Sequence, residues 1–513
     1  KFVQDFIKMA NDGFLQGWHE RNGGNLSYRL KPEEVELIRP RLNESGEWTE
    51  IGTEVPGLAG EFFLVTGSGK YFRNIIVDPE VCLAIIELDY TGTKYRIRWG
   101  LVEGGRPTSE LPTHLMNHEV KKRITNGKHR VIYHAHTTNT IALTFVLPLD
   151  DQVFTRELWE SATECPVVFP DGVGVIGWMV PGGREIAIKT AELMKKYDVV
   201  ALGELLIDFT IDGKSNQGNN TYEANPGGAP CNVLAMLNKM NKKTAFIGKV
   251  GNDAFGQILK KTIDDVGIDS KGLMFDEHVN TTLAFVHTAE DGDRSFSFYR
   301  NPGADMMLRA DEVNSELIEN SKIFHFGTLS MTHQGVREAT IKALEVAKKS
   351  GCIISFDPNI REPLWDNMEN ARTQVKKGLE YCNILKISDN EIQWLTGEED
   401  YSDGVQKIRE KYDIDLILVS MGKEGSRAYY NGMVVEANPF LTKDTIETTG
   451  AGDTFTGCIL HYILNKGLDN LDTHNLREML NFANAAASII TTRKGALCVM
   501  PTKEEIEELL HSR

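Results

Sequence analysis

From Asp198 to Arg513, short apolar runs alternate with helical stretches, and this alternation constrains the fold more than any other feature. The runs at 199–203, 244–248, 352–357 and 416–420 read as core strands, and 336–349 and 375–381 as helices between them. Continuously apolar strands separated by helices define a parallel sheet covered on both faces. One region breaks the pattern. Between about Glu277 and Arg300, the β-formers TTLAFVHT and RSFSFYR flank Glu290-Asp291-Gly292-Asp293. That is a hairpin signal, and it predicts a small β lid beside the sheet.

Within this α/β stretch, residues 447–455 read ETTGAGDTF. Gly450, Ala451 and Gly452 carry almost no side chain, so their amides can converge on one point, and Asp453 opens an apolar helical run. Amides at a helix N-terminus make an anion hole. A carboxylate beside such a hole suits phosphoryl transfer to an alcohol. The same residues also read as an ordinary capped helix after a glycine loop. Other chemistry sits at strand ends, where open α/β sheets bind ligands. Asp208 stands in GELLIDF, Gly228 and Asn232 in PGGAPCN, and Asp357, Asn359 and Arg361 in DPNIRE. Each has a structural alternative as a turn cap, a helix residue or a surface ion pair.

The first third differs in pattern. An amphipathic helix is expected at the start, where Phe2, Phe6, Ile7, Phe14 and Leu15 recur at helical spacing. A glycine turn at 22–25 follows, and the run 62–65 leads into Thr66-Gly67-Ser68-Gly69-Lys70, a candidate phosphate cradle without Walker spacing. His134 and His136 lie two apart on a predicted strand, so both imidazoles face one way and can share a metal ion. At the seam, Lys195-Lys196-Tyr197-Asp198 runs straight into an apolar strand with no Gly/Ser/Pro linker.

A chain of 513 residues exceeds one core. Its net charge of −17 excludes a nucleic-acid partner and an anionic membrane surface. No apolar run reaches the length of a membrane span. Seven scattered cysteines without a C-x-x-C pair point to reduced thiols and a cytoplasmic enzyme.

Motifs in combination say more. NGGNLS, LVTGSGKYFRN, PTSELPTH, VIYHAHTTNTIALT and TRELWESATECPVVFPDGVG occur in that order over residues 1–197. Together they closely resemble rhamnulose-1-phosphate aldolase, a class II zinc aldolase. The resemblance implies zinc ligands His134 and His136, and Glu110 as acid/base. It implies a phosphate site from Asn22, Gly24, Asn25, Thr66, Gly67, Ser68, Thr108 and Ser109, with Glu164 acting across a subunit boundary. The family pattern continues beyond this point to a third zinc-binding histidine, whereas here no histidine occurs between His136 and His278. A catalytic zinc normally has three protein ligands. Weak Zn²⁺ binding and little or no aldolase activity are therefore expected of this truncated α/β domain. The readings left open are a bifunctional enzyme that also cleaves rhamnulose 1-phosphate and a first part that serves only for assembly.

Residues 198–513 carry GELLIDF, PGGAPCNVLAMLNKM, GKVGNDAFG, FYRNPGADMML, DPNIREPLW, VSMGKEGSRAYY, TTGAGDTF and NAAASIITTRKGA. This set resembles the PfkB carbohydrate kinases, with bacterial fructokinases most alike. It implies a ribokinase-like α/β/α sandwich with a β lid, and a homo-oligomer is expected. It implies Asp453 as base, Gly450, Ala451 and Gly452 as anion hole, and Arg361 near the transferred phosphate. Asp208, Gly228, Asn232, Arg300 and Asp305 would surround the sugar. Lys386, Ser420, Gly422, Gly425 and Asn484 would surround ATP, with Glu391 helping to place Mg²⁺. Two departures are small: Glu447 stands where many members have Asp, and Ser388 where many have Asn. The expected substrates are ATP and a ketose, with fructose giving fructose 6-phosphate.

Overall fold

The computed structural model describes every residue except Asn126, Pro170, Asp171, residues 289–293, Asn470 and Arg513. Its contacts divide the chain into two compact units, Lys1–Lys195 and Lys196–Arg513. Tyr197, grouped with the first part on sequence, is already the first residue of the second unit's opening strand.

The first unit opens with the helix Phe2–Leu15. Six strands follow: β1 (Asn25–Arg29), β2 (Thr49–Glu50), β3 (Phe62–Thr66), β4 (Leu83–Leu88), β5 (Lys94–Gly100) and β6 (Val131–His134). They form one antiparallel sheet in the order β2-β5-β4-β3-β1-β6. Side-chain alternation splits this sheet between two cores. Leu64, Leu83 and Ile85 face one, while Phe63, Val65, Ala84 and Ile86 face the other. Packing thins after β6, an edge strand, where Phe145, Val146 and Trp178 are exposed.

The second unit is built on a nine-stranded sheet. Its strands are β7 (Tyr197–Leu202), β10 (Thr244–Gly251), β11 (Ile268–Asp276), β14 (Ser321–Gly327), β15 (Ile353–Asp357), β16 (Ile384–Ser388), β17 (Leu416–Ser420), β18 (Ser426–Tyr430) and β19 (Met433–Ala437). The order is β11-β10-β7-β14-β15-β16-β17-β18-β19. All pairs are parallel as far as β17, and the last two are antiparallel. In β7, Val199 and Ala201 enter one core while Val200 and Leu202 enter the other, so both faces are covered. The expected strands and helices appear, with the two helices running Gln334–Lys349 and Met368–Leu379.

The lid is larger than expected. β12 (Leu283–Thr288) and β13 (Arg294–Tyr299) form the antiparallel pair read from sequence, and the turn expected at 290–293 lies outside the described residues. Two further strands, β8 (Leu206–Lys214) and β9 (Asn220–Gly227), complete a sheet ordered β13-β12-β8-β9. Phe285 lies at its centre, 4.8 Å from Phe209, 5.4 Å from Tyr299 and 5.5 Å from Tyr222 by ring centroids. Among the described residues no helix is long and apolar enough to cross a membrane, and the seven cysteines are free thiols.

Candidate active site

The glycine turn enters the helix Ala451–Lys466 with Gly450 as cap at φ 77°. That left-handed geometry favours glycine, and a Cβ at Gly450 would stand 2.6 Å from the Ala496 Cβ. The turn is braced from the far side: the Gly495 amide donates to the buried Glu447 carboxylate at 2.8 Å, and the Ile446 amide to the Thr491 carbonyl at 2.8 Å. Of the three amides expected in the anion hole, that of Ala451 also leans on the Thr448 carbonyl at 3.3 Å.

Asp453 lies in the first helical turn and is buried. The Asn232 Nδ2 donates to its Oδ2 at 2.8 Å. Burial pushes the Asp453 carboxyl above its ordinary range, against the pull of Asn232, Lys386 and Arg361. Asn232 stands in the helix Ala229–Lys239, and its Oδ1 is buried without a hydrogen-bond partner. Gly228 caps that helix at φ 131°, and a Cβ there would collide with the Glu204 carbonyl. The Glu204 carboxylate accepts the Ala229 amide at 2.9 Å, tying the turn to the end of β7. Burial raises the Glu204 carboxyl to about 7.

Asp208 sits on β8 opposite Asn225 of β9 and beside Ala284 of β12. Its carboxyl is raised to about 7 by desolvation, opposed by Arg361 and assisted by Glu447 and Asp453. Asp208 of the lid strand β8 thus shares one electrostatic neighbourhood with Asp453 and Arg361. Arg361 follows β15 in a loop held by Glu391, whose Oε1 accepts the Ile360 amide at 2.7 Å. The other Glu391 oxygen accepts the Ser388 amide at 2.9 Å, closing a capping box on the helix Asp389–Thr396. Both Glu391 oxygens therefore shape the backbone, and Ser388 acts as a helix cap.

Lys386 of β16 reaches Asp357 at the end of β15, with Nζ 3.0 Å from Oδ2. Burial opposes the lysine charge, but Asp357, Glu391 and Asp453 together hold its pKa above the ordinary value. Burial raises the Asp357 carboxyl to about 6, and its Oδ1 has no hydrogen-bond partner. Arg300 and Asp305 are brought together, but with each other rather than into an open cleft. Their closest ion-pair distance is 2.7 Å, with side-chain exposures of 2% and 3%. Arg300 also donates to Thr332 Oγ1 at 2.9 Å and to the Leu329 carbonyl at 3.0 Å, and Thr282 donates to Asp305. Since Thr282 precedes β12 and Arg300 follows β13, the pair anchors both legs of the lid.

Ser420 ends β17, and Gly422 and Gly425 form the turn into β18. Gly425 takes φ 96°, and a Cβ there would collide with the Ala437 carbonyl. Asn484 accepts from Ser426 Oγ at 2.9 Å and donates to the Asn438 carbonyl at 3.1 Å, so it holds this turn's rim. Glu204 carries no mark in the sequence beyond its place just after an apolar strand, whereas Asp357 was already picked out at the end of its strand. A carboxylate at the end of such a strand was the available signal for both.

In the first unit, His134 Nδ1 lies 2.8 Å from Glu110 Oε2, and the His134 and His136 rings are 5.0 Å apart. Burial raises the Glu110 carboxyl, but His134 and Asn25 outweigh it and leave it below its ordinary value. Asn25 contacts His114 Nε2, and Ser27 Oγ bridges His114 Nδ1 at 2.6 Å and His118 Nε2 at 2.8 Å. Burial lowers His114 to about 4 and His118 well below 6.5. The loops bearing Gly67, Ser68 and Thr108 are zipped together: the Ser68 amide donates to the Arg106 carbonyl at 2.8 Å and the Thr108 amide to the Thr66 carbonyl at 2.9 Å. Asn22, Ser109 and Glu164 are exposed, and Gly24 takes φ 79°. Among the described residues no group of three or more His, Cys, Asp or Glu side chains is arranged to hold a metal. The donor set therefore does not fit a three-ligand catalytic zinc.

A parallel sheet with a β lid, a buried carboxylate at a helix N-terminus and basic side chains at the strand ends together define a small-molecule phosphotransferase. The chain belongs to the pfkB family of carbohydrate kinases, whose model matches residues 196–503. Residues 4–204 match the Class II Aldolase and Adducin N-terminal domain. The chain is 40% identical over 314 residues to Probable fructokinase-4 of Arabidopsis thaliana, covering 61% of this chain and 96% of that protein. It is similar in fold to fructokinase from Xylella fastidiosa with bound ATP, with TM-score 0.56 and 29% identity, over 61% of this chain and 98% of that one. It is likewise similar to Vibrio cholerae O395 fructokinase in its fructose, ADP and calcium ion bound form, with TM-score 0.56 and 30% identity, over 61% and 99% of the two chains.

Proposed function

We propose that the second unit transfers the γ-phosphoryl group of MgATP to fructose, forming fructose 6-phosphate and ADP. The observation that carries this reading is the buried Asp453 at the helix N-terminus, held by Asn232. Asp453 accepts the hydroxyl proton as the sugar oxygen attacks phosphorus, and its raised pKa makes it a better acceptor. The unpaired Oδ1 of Asn232 and the carboxylate of Asp208 supply acceptors for other sugar hydroxyls. The Gly450–Gly452 turn and Arg361 balance charge on the moving group. The Ser420–Gly425 turn, rimmed by Asn484, receives the nucleotide, and Mg²⁺ enters with the phosphates. Lid closure excludes water and suppresses ATP hydrolysis. Incubation of a panel of ketoses and aldoses with MgATP, with product analysis by NMR, tests the assignment. Fructose 6-phosphate as the dominant product supports it; a preferred non-ketose substrate overturns it.

For the first unit, we infer a remnant of a rhamnulose-1-phosphate aldolase-like domain with little cleavage activity that contributes to homo-oligomer assembly. The two-histidine donor set supports the first part and the exposed Phe145, Val146 and Trp178 the second. Stoichiometric zinc with rhamnulose 1-phosphate cleavage would overturn the first. An unchanged oligomeric state after deleting residues 1–195 would overturn the second.

A further inference from the structure

Glu204 is a buried carboxylate that the transfer step does not use. It stands in the link 203–205 between β7 and β8, where the chain leaves the main sheet for the lid. The chain returns from lid strand β9 through Gly227 and Gly228 into the helix Ala229–Lys239. Ala229 is the first residue of that helix, so its amide has no partner within it. The Glu204 side chain accepts this amide at 2.9 Å, and the Glu204 carbonyl fills the space a Cβ at Gly228 would need. One residue therefore grips both the outgoing and the returning connection of the lid. Each connection leads to a group assigned to the sugar. Outward, Asp208 follows in β8, with Leu206 paired to Gly227 and Asp208 to Asn225. Inward, the Gly228 carbonyl accepts the Asn232 amide at 2.9 Å, so a shift of the turn moves Asn232. The other lid legs end close by. The Ile207 amide donates to the Thr282 carbonyl at 3.2 Å, and the Arg300 and Asp305 charges act on the Glu204 carboxyl.

We propose that Glu204 is a positioning residue for sugar binding: by holding the Ala229 amide at the root of the lid, it sets the spacing between Asp208 on the lid and Asn232 on the body. This rests on the reading of Asp208 and Asn232 as sugar ligands. What Glu204 contributes is reach. Its arm spans the gap between the two connections, and an aspartate is shorter by one methylene. The charge is secondary, since the oxygen of a glutamine of the same length accepts the same N–H. Without an acceptor in reach, the Ala229 amide turns toward another partner, and the Gly228 turn carries Asn232 with it. Asp453 stands on its own helix, so the loss falls on sugar affinity before turnover.

The test compares the full-length wild type with Glu204→Gln, Glu204→Asp, Glu204→Ala and Asp453→Asn. kcat and KM are measured with fructose and MgATP, fructose and ATP affinities by calorimetry, and stability by thermal melting. Glu204→Gln keeps the acceptor, and its fructose KM stays within about threefold of wild type. Glu204→Asp and Glu204→Ala raise the fructose KM about tenfold or more, the cost of a donor stripped of its acceptor. In both, kcat and ATP affinity stay within about threefold, the signature of lost ground-state binding. A wild-type fructose KM in Glu204→Asp or Glu204→Ala would overturn the proposal. So would a tenfold rise in Glu204→Gln, which would make charge rather than reach the contribution. Parallel loss of fructose affinity, ATP affinity and melting temperature would make the residue structural and overturn it as well. Should Glu204→Asp and Glu204→Ala fail to fold, Glu204→Gln decides by the same limits. An active Asp453→Asn variant, or a wild type that phosphorylates no sugar, would defeat the kinase reading itself; a wild type active on fructose beside a Glu204→Asp variant of unchanged fructose KM would defeat only this inference.

Discussion

The Asn232 amide donates to the Asp453 carboxylate at 2.8 Å, joining two helices whose N-termini meet at the candidate site. The bond favours the ionised carboxylate and partly offsets the burial that raises its pKa. Asn232→Leu removes that donor at similar volume. The Asp453 pKa then rises further, so the acid limb of the kcat/KM profile moves to higher pH. An unchanged acid limb would show that the amide does not tune the base.

Asp208 carries the opposite kind of cost. Its folded pKa of about 7 lies above the ordinary value of 3.8, so the folded chain binds an extra proton between those limits. Stability attached to this group is therefore present at low pH and lost as pH rises from about 4 to 7. Asp208→Asn lacks that loss. Its thermal midpoint gains on wild type as pH is raised from 5 to 8, while its fructose KM rises steeply. Parallel melting curves across that range would contradict the assignment.

Much of this was legible in sequence, and the reason is locality. The turn 447–455 and the cap Gly228 are written in consecutive residues, because a left-handed glycine feeding a helix is a short-range device. The alternating runs read correctly as a parallel sheet because buried strands need continuous apolar side chains. β8 and β9 stayed hidden because GKSNQGNN interrupts them and their surface is polar enough to read as loop. Pairings between distant elements were equally hidden. Arg300 and Asp305 stand in one visible motif, yet only the fold shows Thr332, Leu329 and Thr282 closing around them. Asp357 was read at the end of a strand and Lys386 was named only through the resemblance, and their contact depends on the parallel register of β15 and β16.

The Arg300–Asp305 pair anchors both lid legs, so its loss should be felt in stability first. Arg300→Met leaves Asp305 as a buried unpaired carboxylate and costs roughly 3–5 kcal/mol in chemical unfolding of the second unit. Arg300→Lys rescues little, since an ammonium cannot reproduce the guanidinium fork to Asp305, Thr332 and Leu329. Full rescue by lysine would mean that charge alone, without the fork geometry, holds the lid.

Gly228 has a backbone that no side chain fits: φ is 131°, and the Glu204 carbonyl occupies the space a Cβ would need. Gly228→Ala shifts the turn that presents Asn232, so the sugar KM rises about tenfold or more while ATP affinity is retained, as expected when one binding element is displaced. Equal loss of both affinities would indicate general unfolding instead.

The central claim is that Asp453 takes the proton from a sugar hydroxyl. The direct measurement is the turnover of Asp453→Asn with fructose and MgATP in a coupled ADP assay, beside ATP binding by calorimetry. The account predicts kcat lower by roughly 10²–10⁴-fold with ATP binding retained, the range for loss of general-base catalysis. Near-wild-type turnover would contradict it.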